Sequence, residues 1–345
     1  MSTIFVEPSA SLHHGGRLRA AAAQYGIALE AWLDLSTGIN PDGWPVPAIP
    51  AACWRRLPEV DDGLEAAAQD YYASEQVLPV AGSQAAIQAL PRLRPRSRVR
   101  VLSPGYAEHS AAWQREGHVV GGVTADGVEA VLPHTDVLVL IHPNNPTGAC
   151  FAVEQLLEWH AALAGRGGWL VADEAFMDAT PQHSLCPYSG RTGLIALRSL
   201  GKFFGLAGAR VGFVCAAPPL LARLGTLLGP WTLSGPARRV ANAALSDRTW
   251  QAQTRQHLLY AGARLQHLLA GHGLSPAGGC ALFQWVCTPR AAELHAALAR
   301  QGVLTRLFRE PSSLRLGLPG PEADWQRLET VLSDITYIDT AGAAP

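Results

Sequence analysis

The chain has 345 residues, 48% of them hydrophobic, and a formal net charge of −1 from 27 basic and 28 acidic side chains. It is long enough for a large domain and a smaller one, and its charge balance argues against nucleic acid or an anionic membrane surface as partners. Six cysteines (Cys53, Cys150, Cys186, Cys215, Cys280 and Cys287) form no CxxC pair, as expected of reduced, buried thiols in a cytoplasmic protein.

The first residues, MSTIFVEPSASLHHGGRLR, lack an apolar signal core, and no apolar run in the chain reaches the ~18 residues of a membrane span. His13 and His14 have no further ligand at metal spacing, so zinc is not expected. HGGRL (14–18) leads to LDLSTGINPDG (33–43). Next comes RRLPEVDDGLE, which contains Leu57, and then PVAGSQAAIQAL. Here Gly82, Ser83 and Gln84 open a helix whose first N–H groups suit an anion, although the GK[ST] ending of a P-loop is missing. The basic run Pro91–Arg100 reads as the solvated end of a helix and a loop.

Five nearly continuous apolar runs follow: VRVLSP (99–104), DVLVLIHP (136–143), GWLVADEA (168–175), GLIALRSL (193–200) and ARVGFVCA (209–216). Strands buried on both faces have this composition, which predicts an α/β fold with a mostly parallel sheet covered by helices. Several runs end in SPGY, HPNNPTG, DEAF or SLGK, so the candidate chemistry gathers at one edge of the sheet. Beyond about Pro236, long helical stretches precede short strands near 281–287, 303–308 and 313–318. We expect a large domain over 45–235 and a small α+β domain from 1–44 and 236–345. The tail AGAAP is expected to be disordered.

Lys202 is the only lysine among the 27 basic residues. Arginine keeps its proton near neutral pH, whereas a lysine with a lowered pKa can act as an amine nucleophile. The segment SLGKFFGLAGAR around it resembles the lysine segment of the fold-type I enzymes that use pyridoxal 5′-phosphate, in the aminotransferase superfamily. The resemblance runs from about residue 14 to 318. It implies that Lys202 bonds the cofactor and that Ser199 and Arg210, with Gly82, Ser83 and Gln84, hold its phosphate. It further implies that Asp173 pairs with the ring nitrogen, Tyr106 covers the ring, Asn145 of HPNNPTG meets the ring oxygen and Arg315 grips a substrate carboxylate. The family forms homodimers.

Three positions depart from the family pattern. Phe176 stands where many members have Tyr, Gly201 replaces a second Ser beside the lysine, and Leu57 replaces a Tyr that reaches the neighbouring subunit. The HGG and INP segments look like the opening of the L-threonine-O-3-phosphate decarboxylases of cobalamin biosynthesis, close kin of histidinol-phosphate aminotransferases. That likeness implies a phosphorylated amino acid substrate held by His14, Gly15, Asn40, Arg306 and Arg309 together with Arg315. The division of labour among the three arginines stays open. Decarboxylation is the expected reaction, with amino transfer of the histidinol-phosphate type as the alternative. A cofactor-binding regulator would need an added DNA-binding domain, for which no room is seen ahead of residue 33.

Overall fold

The computed structural model describes residues 14–341, with side chains to Ile335. Residues 1–13 and 342–345 lie outside it, including His13 and most of the AGAAP tail. After helix α1 (Leu18–Tyr25) and the short strand β1 (Leu33–Asp34), helix α2 (Leu64–Tyr72) leads into the first strand of the main sheet, β2 (Val77–Val80). The rest of that sheet is β3 (Arg98–Leu102), β4 (Val119–Val123), β5 (Val137–Ile141), β6 (Trp169–Asp173), β7 (Leu194–Ser199) and β8 (Gly212–Ala216). Its order is β2-β8-β7-β6-β5-β3-β4. Helices α3 (Ser83–Ala89), α4 (Ala107–Arg115) and α5 (Val153–Ala164) connect the strands.

The five apolar runs all appear as strands of five or six residues, with bounds that differ from the runs by up to three residues at either end. Every residue of β5, β6 and β8 is buried, which is why they read as continuous apolar stretches rather than alternating ones. One run differs in direction: β8 is antiparallel to both β7 and β2, while the other neighbouring pairs are parallel. Antiparallel neighbours need no crossover helix. The lysine segment is therefore the direct connection from β7 to β8, closed at its base by Leu200 N–H donating to the Val211 carbonyl at 3.1 Å. Besides the two-residue β1, three strands escaped the sequence reading. β4 contains Gly121 and Gly122, the short β2 runs straight into the Gly82 turn, and β9 (Gly278–Cys280) has two glycines.

Helices α6 (Gly235–Ser246) and α7 (Arg248–Gly271) begin the C-terminal part. Ser234 and Asp247 cap them by accepting from Ala237 N–H and Trp250 N–H. Strands β10 (Phe283–Cys287), β12 (Arg306–Phe308) and β13 (Ser313–Gly317) join β9 in an antiparallel sheet, while β11 (Val303–Leu304) pairs in parallel with β1. The N-terminal segment is thereby sewn to the C-terminal strands. Where this unit meets the main sheet, backbone touches backbone: a Cβ on Gly148 would lie 2.0 Å from the Gly279 carbonyl oxygen, and one on Gly278 would lie 2.1 Å from that of Thr147.

Beneath the sheet edge, Arg198 is buried with Glu174 and Asp178, each 2.7 Å away, and lies 4.6 Å from the Tyr72 ring centroid. Removing one member of a buried charge cluster strands the rest. We expect Arg198→Met to lower the unfolding free energy by about 3–5 kcal/mol, measured by urea denaturation. A loss below about 1 kcal/mol would mean the cluster is not desolvated as described.

Candidate functional site

The parallel strands deliver their C-terminal loops to one edge, and a cavity of about 410 Å³ opens there. Its wall includes Lys202, Asp173, Tyr106, Asn145, Ser83, Gln84, Ser199, Arg210, His14, Gly15, Arg306 and Arg315. The residues singled out from sequence therefore converge on one place, with Asn40, Arg309 and Gly82 as departures in different senses.

The Lys202 Nζ donates to the Thr37 carbonyl at 3.1 Å and sits 5.3 Å from the Phe176 ring centroid. Burial, reinforced by the charges of Arg315 and Arg210, lowers the amine to about 8. The loop that carries it is held from outside. Asn40 N–H donates to the Lys202 carbonyl at 3.0 Å, and Trp44 N–H to that of Phe204 at 2.9 Å. The Asn40 side chain, expected at the substrate, is spent on this bracing: Nδ2 donates to the Phe203 and Asp42 carbonyls at 2.9 and 3.0 Å, and Oδ1 accepts from Asp42 N–H. It is buried and does not line the cavity. Gly205, at φ +68°, packs so tightly on Gly43 that a Cβ would lie 2.5 Å from its Cα.

Asp173 ends β6 with its carboxylate buried. Oδ2 lies 2.9 Å from His109 Nε2, and Oδ1 accepts from Ala175 N–H at 3.2 Å. His109 was missed in the sequence. The available clue was that it follows Tyr106 on the first turn of a helix starting at a strand end, which points both side chains at the same spot. At the opposite chemical extreme, α3 starts at Ser83, and Arg210 adopts φ +54°, rare for a residue with a side chain. Gly82 adopts φ +72°, which side chains rarely take, and a Cβ there would also press on Arg210 Nη2 at 2.6 Å. Its part is to let backbone and guanidinium touch. The Gln84 side chain turns away from this end, accepting from Tyr106 Oη at 3.2 Å and donating to Glu108 at 2.8 Å. Burial, with the negative charges of Glu108 and Asp173, raises the Tyr106 phenol to about 12.

Asn145 Oδ1 accepts from Arg315 Nη1, and Arg315 Nη2 donates to the Ser36 carbonyl at 2.5 Å. Burial and the Arg306 charge bring the Arg315 guanidinium down to about 10. Arg306 faces Arg315 across the β12–β13 register. Arg309 lies elsewhere, on an adjoining cavity of about 670 Å³ shared with His14, Gly15, Arg17, His295 and Arg306. His14 lines both cavities. Gly15 is required beside it because a Cβ would lie 2.3 Å from the Ser36 oxygen. Phe176 is buried edge-on to Phe283, at 5.0 Å between centroids. At Gly201 a Cβ would sit 3.3 Å from both Ala207 Cα and Ser199 Oγ, leaving little room for serine. Leu57 is exposed and does not line the cavity.

A buried carboxylate braced by an imidazole, an amine made more acidic by its surroundings, and a helix start beside an arginine fit the ring nitrogen, aldehyde and phosphate of pyridoxal 5′-phosphate.

The profile of the family "Aminotransferase class I and II" matches residues 56–332. A threonine-phosphate decarboxylase of Pseudomonas aeruginosa is 60% identical over 321 residues, covering 93% of this chain and 97% of the relative. Another, from a Sinorhizobium species, is 44% identical over 94% of this chain and 98% of its own length. Among solved structures, the histidinol-phosphate aminotransferase of Sinorhizobium meliloti in complex with pyridoxal-5′-phosphate superposes with a TM-score of 0.80 at 20% identity, covering 97% and 98% of the two chains.

With a single lysine in the chain, its titration can be followed without ambiguity. In cofactor-free protein labelled with ¹⁵N-lysine, the side-chain nitrogen should titrate with a midpoint about 8. Its folded pKa lies below that of the unfolded chain, so the unfolded state binds more protons between those values. Stability of the free protein should therefore rise as pH climbs from about 8 toward about 10.4. A midpoint at the ordinary lysine value would show that Nζ is solvated.

Proposed function

This chain belongs to the class I and II aminotransferase family, and from that membership we propose that it is a pyridoxal 5′-phosphate-dependent decarboxylase acting in cobalamin biosynthesis. Its substrate is L-threonine O-3-phosphate and its products are CO₂ and (R)-1-amino-2-propanol phosphate. The observation that carries this reading is that His14, Gly15 and Arg306 line one cavity with Lys202, Asp173 and Arg210. A cationic group for a substrate phosphate thus stands beside the set that fits the cofactor.

When bound, pyridoxal 5′-phosphate supplies the electron sink for a breaking Cα bond. Asp173 pairs with the ring nitrogen, and His109 holds that carboxylate in place. Ser83, Ser199 and Arg210 hold the cofactor phosphate at the start of α3, and the Tyr106 ring covers one face. Which Cα bond breaks would depend on how the protein holds the substrate, so orientation chooses the reaction. His14 and Arg306 would anchor the substrate phosphate and so set which Cα substituent is presented for loss. The Lys202 ammonium, which gives up its proton more readily than that of an ordinary lysine, would deliver that proton to Cα once CO₂ has left. Arg315 is engaged with Asn145 and Ser36, which favours a supporting part for it. Arg309 stands at the mouth of the adjoining cavity as an outer cation.

We also propose a cytoplasmic homodimer. Val46, Trp54, Leu57, Val60 and Trp231 all expose at least half of their surface. Four of them, Leu57 included, fall within residues 46–60, and a concentration of exposed apolar side chains supports a partner surface there. Trp54→Arg should shift the particle mass toward that of one chain in sedimentation. An unchanged mass would place the interface elsewhere.

The activity is tested by mixing protein, pyridoxal 5′-phosphate and threonine phosphate without an amino acceptor, and measuring CO₂ and aminopropanol phosphate. Turnover is expected in the native protein, and a loss of about 10³-fold or more in Lys202→Ala. Keto acid formation that requires 2-oxoglutarate would instead mark an aminotransferase.

A further inference from the structure

Glu108 occupies the first turn of α4, where a carboxylate needs no role beyond meeting the positive end of the helix. Its two oxygens, however, both reach off that helix. Oε1 lies 2.8 Å from His14 Nε2, while Oε2 accepts from Gln84 Nε2 at 2.8 Å and from Gln88 Nε2 at 3.0 Å. The side chain is 14% exposed, against 41% for His14. Its surroundings are otherwise rich in cations, with Arg210 and Arg306 on the cavity wall that His14 shares. An acidic residue there would repel an anionic substrate unless it had another use.

The orientation of the partners is fixed by what they do elsewhere. Gln84 Oε1 accepts from the Tyr106 hydroxyl, and Gln88 Oε1 accepts from Arg115 Nη1, so both amides must turn their NH₂ groups toward Glu108. Three donors therefore meet one residue that only accepts. With Nε2–H of His14 donated to Glu108, Nδ1 is the ring nitrogen turned to a ligand, and it donates to a phosphate oxygen when the ring carries both protons.

We propose that Glu108 is a positioning residue that fixes the His14 imidazole for an incoming phosphomonoester and couples it, through Gln84, to Tyr106 and to the start of α3. This rests on the reading of His14 as a phosphate ligand. A half-exposed imidazole without such a partner would spread over several rotamers, and freezing it would oppose binding. Glu108 meets that ordering cost before the substrate arrives. It also joins the group that holds the substrate phosphate to the helix that holds the cofactor phosphate.

Glu108→Gln tests this, because a carboxamide offers one acceptor oxygen where the three donors use two. In the holoenzyme we expect KM for threonine phosphate to rise about tenfold, with kcat within about threefold. Activity on L-threonine, which lacks the phosphate, should fall by no more than about threefold. In a His14→Ala background the same substitution should add no further increase in KM. Long-range ¹H–¹⁵N spectra of ¹⁵N-histidine-labelled protein, recorded without substrate, should show His14 protonated at Nε2 in wild type and a mixture of tautomers in Glu108→Gln. Equal losses on both substrates, a full effect in the His14→Ala background, or an unaltered His14 spectrum would each overturn the proposal. If wild-type protein decarboxylates neither compound, the functional reading fails instead, and the spectra still decide the role of Glu108. Glu108→Asp, whose shorter carboxylate cannot span both sets of donors, provides the same comparison should the Gln variant fold poorly.

Discussion

Burying an ε-ammonium costs more than one backbone carbonyl returns, and two guanidiniums nearby add to the cost. Lys202 answers by giving up its proton more readily, and the rest of the site can be understood as what keeps that amine in place. Its loop spans two antiparallel strands, so both ends are fixed at the same sheet edge. Asn40, Trp44 and the Gly43–Gly205 contact hold the middle. The buried cluster of Arg198, Glu174 and Asp178 lies beneath the same edge and stiffens the strands that deliver Asp173 and Lys202.

The cavity contains two kinds of charge with separate tasks. Asp173 on the wall, and Glu108, which does not line it but pairs with His14 on it, are the carboxylates, and neither is left to face an anion alone: one is paired with His109, the other with His14 and two amides. The cations divide similarly. Arg210 belongs to the α3 end, Arg315 to the Asn145 turn, and Arg306 to the face shared with the larger adjoining cavity. A ligand with a negative charge at each end would find complementary charge at both, which selects its orientation more than its affinity.

Much of this was legible in the sequence, for a physical reason. Strands buried on both faces read as apolar runs, and the residues that follow them, Asp173, Asn145 and Lys202, stand out as polar interruptions. What could not be read were relationships across long separations. Asn40 braces a carbonyl 163 positions away, so its motif pointed to the right neighbourhood and the wrong task. His109 and Glu108 act through partners on other elements. Arg309 is close to Arg306 in sequence, but it faces a different cavity. Glycine-rich β4 and β9 form strands because neighbours pair with them, against their own composition.

Where the NNPTG turn meets β9, no side chain intervenes, because Gly148 and Gly279 abut through main-chain atoms. A joint with no side-chain thickness has no adjustable part. Any bulkier residue would act as a wedge and spread the walls of the reaction chamber, so descendants seeking new substrates are barred from remodelling this seam. Their freedom lies in side chains that line the cavity itself, such as Arg306 and His14, which can be exchanged without moving the walls apart.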